Sequence, residues 1–189
     1  MSLIPSHNFK HNQAIPSPEG LINGQSLGTV SGMKFGLSTV SYSGCEVIAV
    51  YNALLLRSRR TDFVTVARYM ERFRVMLGFW GTNFLSLGHC LRHFGIRAKR
   101  IRSKQKMRAA LAEDQVCLYV FWVGKRFRSP VHTVCMRKAG EGRILVWNAY
   151  NRCGHVINVP EDDYLRRHMI FGYITEKPAA DDGGKSYGV

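Results

Sequence analysis

The chain is short of negative charge. It carries 13 aspartates and glutamates against 27 lysines and arginines, a formal net charge of +14. A surface of that sign suits acidic peptides, anionic surfaces or nucleic acid. No helix-turn-helix, RNA-recognition or zinc-finger pattern accompanies it, so no specific nucleic-acid partner is expected. The five cysteines are odd in number and match neither a CxxC zinc pattern nor a disulfide framework, which points to a reducing compartment such as the cytoplasm. No basic segment followed by an apolar run opens the chain, so no signal peptide is read. No apolar run is long enough to span a bilayer, and no internal repeat is visible. What is there suits one globular domain: 189 residues, 46% hydrophobic and 21% charged.

Residues 1–32, rich in Pro, Ser, Gly and Asn, read as an N-terminal arm with little regular structure. A helix begins near Cys45 and ends by Arg57–Arg60. Thr61-Asp62 reads as the cap of a second, with Phe63, Val66, Ala67, Met70, Phe73 and Leu77 at helical spacing up to a break at Gly78–Gly81. Thr82-Asn83 caps a third, stopped at Gly95. Ile96–Ile101 reads as a short basic strand and Lys104–Ala112 as a fourth helix. The period then changes. Val116–Val123 is a buried strand, Lys125–Pro130 a basic loop, and 131–138 and 143–150 are strands about a turn at Ala139–Gly142. A short strand at 155–159, a helix or turn at 162–168 and a last strand at 169–176 complete the domain. The tail from Lys177 is expected to be disordered. Helices first and an antiparallel sheet afterwards make the class α+β. The boundaries are an arm at 1–32, a domain at 33–176 and a tail at 177–189.

The chain is organised around Ser41–Leu56. Val47, Ile48, Tyr51, Leu54 and Leu55 share one helical face, with Ser43 or Gly44 as N-cap. Cys45 therefore opens a helix, where unpaired N–H groups and the dipole favour a thiolate. The alternative for a cysteine there is a small buried hydrophobe. The downstream hairpin supplies partners. With its turn centred on Gly140, Asn148 faces His132, and opposed Cβ atoms lie about 4.5–5.5 Å apart. The amide of Asn148 then fixes the tautomer of His132, and the other ring nitrogen is free to take a thiol proton. Nucleophile, base and orienting group are Cys45, His132 and Asn148.

Gly44-Cys45, His132-Thr-Val-Cys and Val146-Trp-Asn148, in this order, resemble the motifs of papain-like cysteine peptidases of the bacteriocin-processing type. These are the double-glycine leader peptidases and their stand-alone relatives. The resemblance covers residues 33–176. It implies a helical lobe packed on an antiparallel sheet, a cysteine peptidase activity without cofactor or metal, and a peptide or protein substrate such as a leader peptide. The basic surface suggests that this substrate is acidic. The family's oxyanion glutamine, six residues before the cysteine, is Thr39 here, and Ser41 or Tyr42 are further donors beside the Cys45 N–H. The family's small residue after the cysteine is Glu46.

Other residues compete for a role. His89 and His93, with Cys90 between them, share a helix face but lack further ligands, so no metal is expected. His155, near Cys153, is a rival base if the hairpin register differs. Cys117 and Cys135 lie in apolar strands and read as core. Trp80, Trp122 and Trp147 read as core or cleft wall, and Asn52 as a structural hydrogen-bonder. Two function classes remain: a cysteine peptidase, and a non-catalytic papain-like domain that binds a peptide or another partner in the same cleft.

Overall fold

The computed structural model describes residues 3–124 and 129–176. Seven α-helices are α1 (Leu3–Gln13), α2 (Val40–Ser43), α3 (Cys45–Leu56), α4 (Phe63–Met70), α5 (Leu87–His93), α6 (Lys104–Ala112) and α7 (Glu161–Leu165). A two-stranded ribbon joins β1 (Lys34–Phe35) to β2 (Ser38–Thr39). The main sheet is antiparallel throughout and ordered β3-β8-β4-β5-β6-β7. Its strands are β3 (Ala98–Ile101), β4 (Cys117–Trp122), β5 (Val131–Gly140), β6 (Arg143–Trp147), β7 (Ile157–Pro160) and β8 (His168–Thr175). The class is α+β, as the pattern implies. No helix among the described residues is long and apolar enough to cross a membrane.

The sheet separates two cores. On one face Leu118, Val120, Cys135, Trp147, Phe171 and Tyr173 pack under α3, α4 and α5. On the other, Tyr119, Phe121, Val134, Met136 and Val146 pack under α6 and α7. Strand β4 lies between β8 and β5 and is covered on both faces, which is why its sequence is a continuous apolar run. Helix α3 is buried all round from Cys45 to Leu54, rather than on one face. The N-terminal segment covers its far side: the Asn52 amide accepts from Ile22 N–H at 2.9 Å and donates to Ile22 carbonyl at 2.8 Å. Asn52 is thus the structural hydrogen-bonder its position suggests.

Three expectations are corrected. The arm is not without regular structure, since α1 runs over 3–13. It has no apolar stripe to betray it. Buried Asn8 bonds Gly36 carbonyl and Glu71, and buried Asn12 pairs with Lys34. The helix after Asp62 stops at Met70 rather than Leu77. Met76 and Leu77 are left-handed, because Leu77 carbonyl turns back to accept from Leu37 N–H at 2.8 Å. Finally, the hairpin turn centres one residue further on. Gly142, not Gly140, supplies the left-handed φ of +62°. Met136 pairs with Val146 and Cys135 with Trp147, so the direct His132–Asn148 pairing is absent and β6 ends at Trp147. The expected loop at 125–130 lies partly, and the tail at 177–189 wholly, outside the described residues.

Candidate active site

The end of β6 leaves the edge of β5 bare from Thr133 back to Val131, and the site forms there. Two elements reach this edge: the N-terminus of α3 and the chain beyond β6. Gly44 caps α3 and also receives the end of α2, its N–H donating to Val40 carbonyl at 2.9 Å. A Cβ at position 44 would lie 2.5 Å from Val40 Cγ1 and 2.6 Å from Val40 O, so only glycine lets the two helices meet this closely. That contact aims Cys45 at β5.

The Cys45 thiol is buried and has two polar neighbours, the Thr133 N–H and the Glu46 carboxyl. Its pKa is pushed well above the ordinary thiol value, first by burial and then by the charge of Glu46. The helix N-terminus alone would favour a thiolate; in this resting arrangement desolvation wins. Burial also pushes the Glu46 carboxyl up to about 7.

His132 is 8% exposed. Its Nε2 lies 2.7 Å from the Asn148 carbonyl, and its ring meets Phe121 edge-to-face at 5.9 Å. A carbonyl only accepts, so Nε2 carries the hydrogen and Nδ1 holds the lone pair of the neutral ring. Burial pushes the imidazole pKa down, and the charge of Arg167 adds to this, while the Asn148 carbonyl works against it. His132 lies on the β5 row of Val134 and Met136, which faces α6 and α7, whereas Cys45 reaches the neighbouring Thr133 N–H. No hydrogen bond joins Cys45 Sγ to His132 among the described residues.

Asn148 meets His132 through its backbone, not its amide. It adopts a φ of 57°, a left-handed conformation that asparagine tolerates well. Its N–H donates to Asn23 Oδ1 at 3.0 Å, its Oδ1 accepts from Gln25 N–H at 3.1 Å, and its Nδ2 lies 3.4 Å from Gln25 Oε1. Gln25 in turn donates to Ser41 carbonyl at 3.0 Å, tying this loop to α2. Asn23 and Gln25 escape sequence reading because they sit in a segment with no period. Glu46 had a visible signal: an acid next to the cysteine in an otherwise apolar helix.

The remaining candidates are dispersed. Thr39 carbonyl accepts from the Ser43 hydroxyl, Ser41 hydroxyl bonds that of Ser26 at 3.1 Å, and Tyr42 is 72% exposed. Thr39 and Tyr42 line an open groove of ≈ 340 Å³ with Lys34, Leu37, Ser38 and Phe79. Met76, Leu77 and Trp80 extend the exposed apolar surface on the adjoining 76–80 segment, so Trp80 is a surface residue, whereas Trp147 is core. His89 bonds Tyr69 hydroxyl at 3.0 Å and His93 stacks on the same ring at 3.6 Å. Cys153 Sγ lies 3.6 Å from His155 Nε2 on a more exposed loop. Cys117 and Cys135 are buried in the two cores.

No protein-family model matches the chain, and no curated protein matches its sequence. Among solved structures, the chain is similar to a double glycine motif protease from an AMS/PCAT transporter, crystallised with the leader peptide. The TM-score is 0.50 at 16% identity, over 70% of this chain and 84% of that one. At such identity the likeness is one of fold alone, the papain-like α+β arrangement.

Proposed function

We propose that the chain is a thiol-dependent amide hydrolase, a cysteine peptidase. One observation carries the reading: in this fold Cys45 opens a buried helix against the bare edge of β5, one residue from an imidazole whose tautomer is held. Cys45 is the nucleophile and His132 the base, through Nδ1. Asn148 orients the base with its carbonyl. For reaction Sγ moves from Glu46 and the Thr133 N–H to Nδ1, an approach of the kind that substrate binding commonly completes. Nδ1 takes the thiol proton, Sγ attacks the amide carbon, and the protonated ring returns that proton to the leaving amine. Water then hydrolyses the thioester. The Cys45 N–H and the hydroxyls of Thr39, Ser41 and Tyr42 are the candidate donors to the oxyanion.

The substrate is a peptide lying across the groove and the neighbouring apolar surface. The solved neighbour was crystallised with a leader peptide, and a net charge of +14 favours an acidic one here. All five cysteines are free, which suits the cytoplasm. The test is cleavage of acidic peptides carrying a double-glycine motif. Cys45→Ala should abolish turnover, His132→Ala should lower it by about 10²-fold or more, and rising salt should weaken it. A second reading, a peptide-binding domain without catalysis, is favoured by the raised thiol pKa and the lack of a Cys45–His132 bond. Peptide binding that is equal in wild type and Cys45→Ala, with no cleavage by either, would establish that reading instead.

A further inference from the structure

We propose that Glu46 is a positioning residue that holds the Cys45 thiol protonated, so that the charge on Glu46 sets the reactivity of the nucleophile. Glu46 is the second residue of α3 and 4% exposed, in a stretch of helix whose other residues through Leu54 are uncharged and, Asn52 excepted, mostly apolar. Its side chain folds against the Gly81–Thr82 loop. A Cβ on Gly81 would lie 2.8 Å from Glu46 Oε2, and the Thr82 backbone hydrogen-bonds the carboxyl. The Cys45 thiol neighbours this carboxyl, whose charge raises the thiol pKa.

Among the described residues Glu46 Oε2 has no hydrogen-bond partner, and neither has the buried hydroxyl of Thr82. A carboxyl kept half-satisfied in a buried site is a poor structural element, since a small apolar residue would fill the space without the desolvation cost. The groups around it are few. Helix α3 contributes Cys45, the loop contributes Gly81 and Thr82, α2 contributes the Ser43 carbonyl near Gly81, and β5 contributes the Thr133 N–H, with His132 beyond it. Among the described residues, no lysine or arginine offsets the charge at either group.

The consequence follows from sign. The carboxyl titrates near 7 because it is buried. Above that pH the site holds a thiol beside a carboxylate, and losing the thiol proton would place two negative charges side by side. Below it Glu46 is neutral and no longer opposes the thiolate. The proposal rests on Cys45 being the nucleophile, but its readout is the thiol itself.

The test is the rate of Cys45 carbamidomethylation by iodoacetamide across pH, resolved by peptide mass spectrometry in a Cys153→Ser background. Glu46→Gln keeps an acceptor for the Thr82 backbone and removes the charge. Its rate should match wild type well below pH 7 and exceed it by roughly tenfold or more well above. A ratio that stays flat with pH, or a slower Glu46→Gln thiol, overturns the proposal. If Glu46→Gln does not fold, the same profile on otherwise native protein decides. Its logarithmic rate should flatten above about pH 7, and an unbroken unit slope through that region overturns it. Failure to find peptide cleavage alongside the expected profile would count against the peptidase reading alone.

Discussion

Asn148 shows how one residue can serve a site through its main chain. Its φ of 57° turns its carbonyl onto His132 while its amide is spent on Gln25. Asn148→Gly keeps the backbone conformation, so it should retain much of the activity while losing about 1–3 kcal/mol of stability from the unmet Gln25 N–H and amide. Asn148→Ala should be worse on both counts, because its Cβ adds about 1 kcal/mol or more of left-handed strain. Urea denaturation and peptide turnover of the two variants check this; equal behaviour would argue that the carbonyl is not what matters. Glu46 makes a stability prediction as well. A carboxyl raised from 4.5 to about 7 binds its proton more tightly in the folded state, so stability falls as pH rises through that window. Glu46→Gln should therefore gain on wild type by about 3 kcal/mol between pH 4 and pH 8. Burial works the other way on His132. Its lowered pKa removes stability as pH falls below the ordinary histidine value, in both proteins alike, so it cancels in the comparison.

At the scale of elements, the junction of α2 and α3 is the tightest constraint on the site. Gly44→Ala puts a Cβ against Val40 backbone as well as its side chain. It should cost about 1–3 kcal/mol by overpacking and slow Cys45 alkylation, because α3 must tilt away from β5. Unchanged melting and alkylation would show that the junction is softer than its contacts suggest. Elements with an apolar period, α6 and β4 above all, stand in the sequence within a residue or two of their true ends. Helix α1 does not, since amide bonds from Asn8 and Asn12 to distant backbone hold it, and such bonds leave no local pattern. The false extension of α4 to Leu77 rests on a local pattern: Leu77, at helical spacing from Phe73, is exposed beside Met76 on a left-handed turn rather than buried on a helix.

For the whole molecule, the surface proposed to take the substrate is the apolar stretch formed by Leu37, Tyr42, Met76, Leu77, Phe79 and Trp80, next to the loop that touches Glu46. Apolar clusters of this kind mark binding surfaces. Trp80 is 75% exposed and contributes little to the core, so Trp80→Ala should leave melting within about 0.5 kcal/mol of wild type. Peptide KM should rise by about tenfold, with kcat nearly unchanged, if the substrate crosses this surface. An unaltered KM would move the substrate path elsewhere.

The order of elements from α3 onward, the α+β class and the cysteine at a helix start were decided by the sequence alone, because hydrophobic period and capping residues are local. A histidine strand and an asparagine a hairpin away were also legible there, but not the register that relates them. What the tertiary structure decided is how those residues meet. A turn centred on 141 instead of 140 ends β6 early, frees the edge of β5, and replaces an amide contact with a carbonyl one. The roles of Asn23, Gln25 and Thr133, and the direction of the Cys45 pKa, depend on long-range packing and on desolvation. Both are properties of what surrounds a residue in space, which no local pattern along the chain encodes.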